Sequence, residues 1–410
     1  MVLFDKEVIT TKYESLSKIY YKRPAEHSKI YNERFNSPLT RHFNFQIQEY
    51  NHRSKYPTFF CYTEEFAVLM EEIYKKHEDL LQALQAVPPL VLEQFILSSV
   101  VDEVRATSDI EGIHSTRKEI KEVISGSIQS ARFSSIVAKY KSILTDSGQI
   151  SFKTCEDIRA FYDEFAHKEV TANDPTHKLD GDLFRRDSVS ITSASGKILH
   201  RGVQPEERII ELLNVTLGIL HDPDMPLLAR VAIFHYLFEY VHPFYDGNGR
   251  TARFIVSYFL AGRFHRLVAL RLSVLIKKNR KKYYDLFKES DSEWNCGDLT
   301  PFVLGFTEIV SATFDDISLS LNNKIMQLTK YRQRLSALIE GDALTREIYE
   351  ALLQSSVFFG GGISMEGLMR VTGKSRNTVK SRLDNMPTGH ILESGGGGGK
   401  KIYRLNLLIA

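Results

Sequence analysis

The sequence has 410 residues, too much chain for one ordinary core, so two or three domains are expected. Fifty-three Lys and Arg against 51 Asp and Glu leave a formal charge of +2, which excludes a global field for nucleic acid or membrane. The three cysteines, Cys61, Cys155 and Cys296, stand far apart without metal-ligand spacing and fit a reducing compartment. Residues 1–15 interleave Asp5, Lys6, Glu7 and Glu14 with apolar side chains, so no signal-peptide core is expected. No apolar run is long enough to cross a bilayer, and a cytoplasmic protein with no membrane partner is the expectation.

Taken in order, residues 1–60 are rich in Tyr, Asn, His, Lys and Arg with weak periodicity, and predict an N-terminal arm of short helices. Thr63 is placed to cap a helix carrying Glu64 and Glu65 in its first turn and Phe66, Leu69, Met70 and Ile73 on one face. Pro88 and Pro89 break it. Leu92, Phe95, Ile96, Ser99, Val100 and Val104 then recur at helical intervals. That helix runs into Thr107-Ser-Asp-Ile-Glu111-Gly112, and Thr116-Arg-Lys-Glu119 is a capping box for the next. Thr154 to Asp157 opens a helix to about residue 167, followed by a polar connector over 171–182. Two short alternating segments, 189–192 and 197–200, flank a Ser-Ala-Ser-Gly turn and predict a β-hairpin. Pro205, Glu206 and Glu207 begin a helix that continues through Ile209, Leu212, Leu213 and Leu217.

The rest of the chain is organised around His242-Pro-Phe-Tyr-Asp-Gly-Asn-Gly-Arg250-Thr-Ala-Arg253. Leu227, Val231, Phe234, Phe238 and Val241 predict a buried helix before it, and the apolar run 254–260 a second helix after it, with Gly262 as its stop. A buried helix that ends and restarts leaves orphan backbone groups. Gly247 and Gly249 allow a tight turn and close approach of a ligand, and the N–H groups opening the next helix form an anion cradle suited to phosphate. Arg250 and Arg253, three apart, add guanidinium donors on one face. Asp246 would repel bare phosphate but could hold Mg²⁺ against it. His242 is the residue here that exchanges a proton near neutral pH. The residues therefore call for a nucleotide polyphosphate, a hard metal ion and a general base.

The segment resembles the signature of Fic-domain proteins, His-x-Phe-x-Asp/Glu-Gly-Asn-Gly-Arg-x-x-Arg, with every fixed position met by His242, Phe244, Asp246, Gly247, Asn248, Gly249, Arg250 and Arg253. Thr107 to Gly112 likewise resembles that family's inhibitory motif, Ser/Thr-x-x-x-Glu-Gly/Asn. The resemblance implies a mainly α fold, a Fic-type helical bundle with a small β-hairpin flap that carries Ile198, Leu199 and His200. It further implies transfer of AMP from ATP, with Mg²⁺, to a Ser, Thr or Tyr hydroxyl of a protein target, which could be the chain itself. His242 would be the catalytic base, Asp246 the metal ligand and Phe244 the anchor of the loop. Gly247, Asn248, Gly249, Arg250 and Arg253 would bind ATP. Glu111 would inhibit by occupying Arg253 beside the bound nucleotide. Two alternatives remain open: removal of AMP by the same site, and a DNA-binding regulator whose Fic unit senses nucleotide.

Beyond the loop, a helix over 281–291 carries Tyr283 and Asp291, which the resemblance places near the adenine, although an Asn more often stands at the second position. A long helix or helix pair spans 299–338. In the tail, helices over 344–353, 364–371 and 375–386, a Thr372-Gly373-Lys374 turn, and strands around a run of five glycines resemble a winged helix-turn-helix. From 363 to 404 there are eight basic residues against three acids. Arg376, Asn377, Lys380 and Arg382 are thus candidate DNA contacts, with protein docking as the other reading. The expected domains are a helical region at 1–89, the catalytic domain at 90–320, a linker helix at 321–343 and the winged helix at 344–410; a homodimer is compatible with this reading.

Overall fold

The computed structural model describes residues 12–124, 132–145, 150–192, 196–336, 339, 341–360, 362–395 and 401–408. The expected turn at 193–195, most of the 395–399 glycine run and Lys400 lie outside the described residues. Helices dominate, and the described strands form two hairpins and a three-stranded sheet. The chain divides into two compact units, each discontinuous in sequence. One comprises Met1–Lys76, Gln149–Leu260 and Lys278–Ala312, the other His77–Gly148, Ala261–Lys277 and Thr313–Ala410.

The first unit is built around helix Leu227–Val241, in which every residue from Val231 to Phe238 is buried. Such a segment has no polar face because neighbours cover it on all sides. Helix Glu206–Leu220 packs along it, and helix Arg280–Asp291 supplies Tyr283, whose hydroxyl lies 2.7 Å from His235 Nε2. Burial, aided by Arg253, pushes the His235 pKa from 6.5 down to about 3. The folded state therefore refuses a proton that the unfolded chain accepts, and stability falls as pH drops through this window. Urea titrations between pH 7 and pH 4 should show a loss of up to roughly 1.4 kcal/mol per pH unit from this ring, and His235→Gln should flatten that slope.

The N-terminal arm differs from the expectation. Helices Leu16–Lys22 and Pro24–Phe35 are followed by an antiparallel hairpin, Thr40–Ile47 with Tyr56–Cys61. Phe43, Phe45 and Ile47 alternate inward while His42, Asn44 and Gln46 stay outside that core, the period of a half-buried strand. Thr154 and Asp157 form a reciprocal capping box at helix Cys155–Tyr162. The helix does not end near 167: a π-helical turn, Asp163–His167, carries it into Lys168–Asn173. Strands Ser190–Thr192 and Ile198–Arg201 pair as the expected second hairpin.

In the second unit, helix Pro89–Ile110 begins with proline in its first turn, where a missing N–H costs nothing. Buried Glu103 on this helix accepts the Ser273 N–H at 3.0 Å, at the start of helix Leu272–Lys278. Arg271 bridges Asp102 and Asp316. The tail folds as helix Ala343–Phe358, strand Ile363–Ser364, helices Met365–Thr372 and Arg376–Asp384, and strands Ile391–Gly395 and Lys401–Leu405, with the last strand at the centre of the sheet. Ser364 and Ser375 cap their helices through Gly367 N–H and Thr378 N–H, and Gly373 at φ +63° stops the first of them. The tail packs on helix Pro89–Ile110, where the rings of Phe95 and Phe358 meet edge to face and Arg370 pairs with Glu93 at 2.7 Å.

Candidate active site

The loop between helices Leu227–Val241 and Asn248–Ala261 closes on itself. Asn248 Oδ1 accepts the Phe244 N–H at 2.9 Å while its Nδ2 donates to the Phe244 carbonyl at 2.8 Å. The side chain thus serves both backbone groups of one residue. Phe244, fully buried, stacks on Tyr162 with centroids 3.7 Å apart and meets Phe184 edge to face. The Tyr162 hydroxyl then donates to the Asp246 carbonyl at 3.1 Å. Burial, with Asp246 nearby, raises that phenol's pKa, so it remains a donor. Gly247, at φ +82°, turns with its missing side chain against Ala166 and Tyr162, and Thr251 satisfies the Gly247 carbonyl twice, through N–H and Oγ1.

His242 caps the first helix in a left-handed conformation, φ 53° and ψ 62°, a strained position for a residue other than glycine. What holds it there is Arg185, which the sequence reading passed over. Its side chain is fully buried. Nε donates to the His242 carbonyl at 2.8 Å, Nη1 to Asp187 at 2.7 Å, and Nη2 to Val203 at 2.8 Å and Val241 at 3.3 Å. Burial lowers the Arg185 pKa to about 10, and the group stays charged at neutral pH. Gly202 is required beside it, since a Cβ there would stand 2.4 Å from Arg185 Nη2. The His242 ring is partly exposed. Its Nδ1 lies 3.2 Å from the Glu239 carbonyl oxygen, with a Glu239 carboxylate oxygen at 3.6 Å. A carbonyl can only accept, so in the neutral ring Nδ1 carries the proton and Nε2 the lone pair.

The hairpin is anchored at the same place. His200 is buried, with Nε2 2.7 Å from the Tyr240 carbonyl, while its neighbour Leu199 is half exposed and Ile198 lies between these extremes. Glu206, just past the hairpin, accepts the N–H groups of Asp182, Leu183 and Phe184, which precede it, at 3.0, 2.7 and 2.8 Å. Burial opposes its charge, but these three bonds outweigh it and hold the pKa below the usual carboxylate value.

Arg250 and Arg253 are both buried on helix Asn248–Ala261, each 1% exposed. Arg250 Nη1 donates to Glu169 at 3.0 Å, while its Nε and Nη2 have no hydrogen-bond partner among the described residues. Two unmet donors on a buried guanidinium fit a bound anion. Asp246 accepts the Gly247 N–H through Oδ1. Among the described residues no group of three His, Cys, Asp or Glu could hold a metal; a cation at Asp246 would need oxygens from a ligand, as Mg²⁺ takes from phosphates.

The other expected site residues stand on other elements. Tyr283 is buried and bonded to His235, and half-buried Asp291 accepts the Tyr236 hydroxyl at 2.6 Å. Both polar groups serve the core. Glu111 is an exposed C-cap of helix Pro89–Ile110 in the second unit, and Gly112 follows at φ +76°. On helix Arg376–Asp384, Arg376, Asn377 and Lys380 are exposed, but Arg382 pairs at 2.7 Å with Asp342, the residue that caps the tail's first helix.

Residues 137–260 match the model of the Fic/DOC family, and the chain carries a Fic domain. The protein adenylyltransferase Fic of Drosophila ananassae is 29% identical over 150 residues, 36% of this chain and 27% of that protein. The Drosophila melanogaster protein of the same name is 28% identical over the same shares. The matched stretch thus spans about a quarter of these relatives' length. A Fic family protein from Desulfovibrio desulfuricans G20 superposes with a TM-score of 0.50 at 21% identity, covering 84% of this chain and 97% of that one. That likeness concerns the fold.

Proposed function

We propose that the chain is a protein adenylyltransferase that moves AMP from ATP to a side-chain hydroxyl of a protein target, restrained by Glu111. The observation that carries it is the pairing of a rigid His242, its lone pair on Nε2, with a glycine loop backed by Arg250 and its two unmet donors. His242 takes the proton from a Ser, Thr or Tyr hydroxyl as its oxygen attacks the α-phosphorus. A phosphoester forms, the bond to the β-phosphate oxygen breaks, and pyrophosphate leaves. Backbone N–H groups at Asn248 and Gly249, with that of Gly247 once Asp246 turns to the cation, face the charge developing on phosphate oxygens. Arg250 and Arg253 hold the outer phosphates so that the leaving group lies opposite the nucleophile. Asp246 would hold Mg²⁺, whose contribution is to neutralise phosphate charge. The exposed strand residues around Leu199 offer a target segment an edge to lie against.

Glu111 acts on this site by competing for Arg253. Glu111→Gly should therefore raise label incorporation several-fold at unchanged fold, read as protein-bound AMP by intact mass. A fall instead would make Glu111 a participant in AMP removal, the same chemistry run toward water. The tail adds a second reading, binding of DNA phosphates through exposed Arg376, Asn377 and Lys380. Arg376→Ala with Lys380→Ala should lower retention on duplex DNA and flatten its salt dependence; unchanged retention would assign the tail to protein docking.

A further inference from the structure

Helix Cys155–Tyr162 and its continuation through the π-helical turn to Lys168–Asn173 touch the loop at three levels. Tyr162 stacks under Phe244 and bonds the Asp246 carbonyl; Ala166 Cβ lies 3.3 Å from where a side chain on Gly247 would begin; Glu169 Oε2 stands 3.0 Å from Arg250 Nη1. Positions 162, 166 and 169 share one helical face, and π turns of this kind recur at functional sites.

We propose that Glu169 is a positioning residue that sets the Arg250 guanidinium for the outer phosphates of the nucleotide; this rests on the transferase reading of the same site. A guanidinium has two forked edges, and the one formed by Nε and Nη2 presents two parallel N–H groups. Glu169 binds through Nη1 and leaves that other edge intact. Nη2 lies 3.5 Å from where a side chain on Gly247 would begin, so the edge faces the glycine loop. The carboxylate is not a competitor for phosphate. It fixes the rotation of a long side chain that otherwise has many rotamers, and the lost entropy is spent before nucleotide arrives. Glu169 is only 12% exposed along its side chain, and its Oε1 has no hydrogen-bond partner among the described residues. The pair is thus complete on one side only, as expected of a contact that orients rather than closes.

The test is calorimetric binding of ATP and of AMP to the full chain carrying Glu169→Ala, Glu169→Gln or Glu169→Asp. Because Arg250 meets the outer phosphates, Glu169→Ala should weaken ATP about tenfold and leave AMP unchanged, whereas Glu169→Gln, whose amide oxygen still accepts, should return ATP to within about threefold of wild type. Should the alanine variant lose its cooperative thermal transition, Glu169→Asp carries the same test: one carbon shorter, its carboxylate no longer reaches Nη1, and the ATP-selective loss recurs. Equal loss for ATP and AMP would make Glu169 a structural residue only, and tighter ATP binding would make it a competitor; either overturns the proposal. Wild-type chain that binds ATP without labelling protein would remove the transferase reading and leave this result standing.

Discussion

His242→Ala should lower AMP transfer by roughly 10²–10⁴-fold, the range of general-base catalysis, while ATP binds within about threefold of wild type. The ring acts on the incoming hydroxyl, and the phosphates are held by other groups, Gly247, Gly249 and the two arginines. The position complicates the alanine variant, because φ 53° is unfavourable for any side chain and costs on the order of 1 kcal/mol when nothing local repays it. His242→Asn separates the two effects. Asparagine tolerates the left-handed region but offers no base at neutral pH. It should fold as wild type and remain as inactive as alanine. Asparagine with substantial transfer, measured beside a normal thermal transition, would remove His242 from the chemistry.

Arg185→Met should produce the largest structural loss. Four carbonyls, those of Asp187, Val203, Val241 and His242, would lose their shared donor in a partly buried setting, and only that of Val241 would keep a second one, the Val203 N–H. An unmet buried polar group costs about 1–3 kcal/mol, and partial relaxation brings the sum to on the order of 3–5 kcal/mol. The same guanidinium joins the His242 turn to Val203, just past the hairpin, so transfer should fall even at temperatures where the variant stays folded. Arg185→Lys should not rescue it, since one ammonium cannot serve carbonyls on three sides. Unaltered melting and transfer in Arg185→Met would show that the His242 turn is held by its own helix cap.

These two residues mark what was legible in the sequence. The loop could be read because its chemistry is local: glycines, a carboxylate, two arginines and a histidine fall within twelve consecutive positions, and each has a stated reason for its spacing. The tail's order of elements was legible through Ser364, Gly373 and Ser375, whose capping roles depend on neighbours three residues away. Arg185, Tyr162 and Glu169 were not, because each meets the loop across tens of residues and nothing beside them in the chain announces burial. Phe43, Phe45 and Ile47 did carry a period-two signal, hidden within a segment whose composition suggested an irregular arm. Tyr283 and Asp291 came from the family resemblance alone. It put them near the adenine, and the fold gives their polar groups His235 and Tyr236 as partners.

The most direct measurement is transfer of radiolabel from ATP carrying it at the α- or the γ-phosphate, with wild type, Glu111→Gly and His242→Ala run side by side. AMP transfer with His242 as base and Glu111 as restraint predicts that only α-label reaches protein, that Glu111→Gly incorporates most and that His242→Ala incorporates almost none. Label from the γ-phosphate, or no label from any variant under conditions where ATP binds, would contradict it.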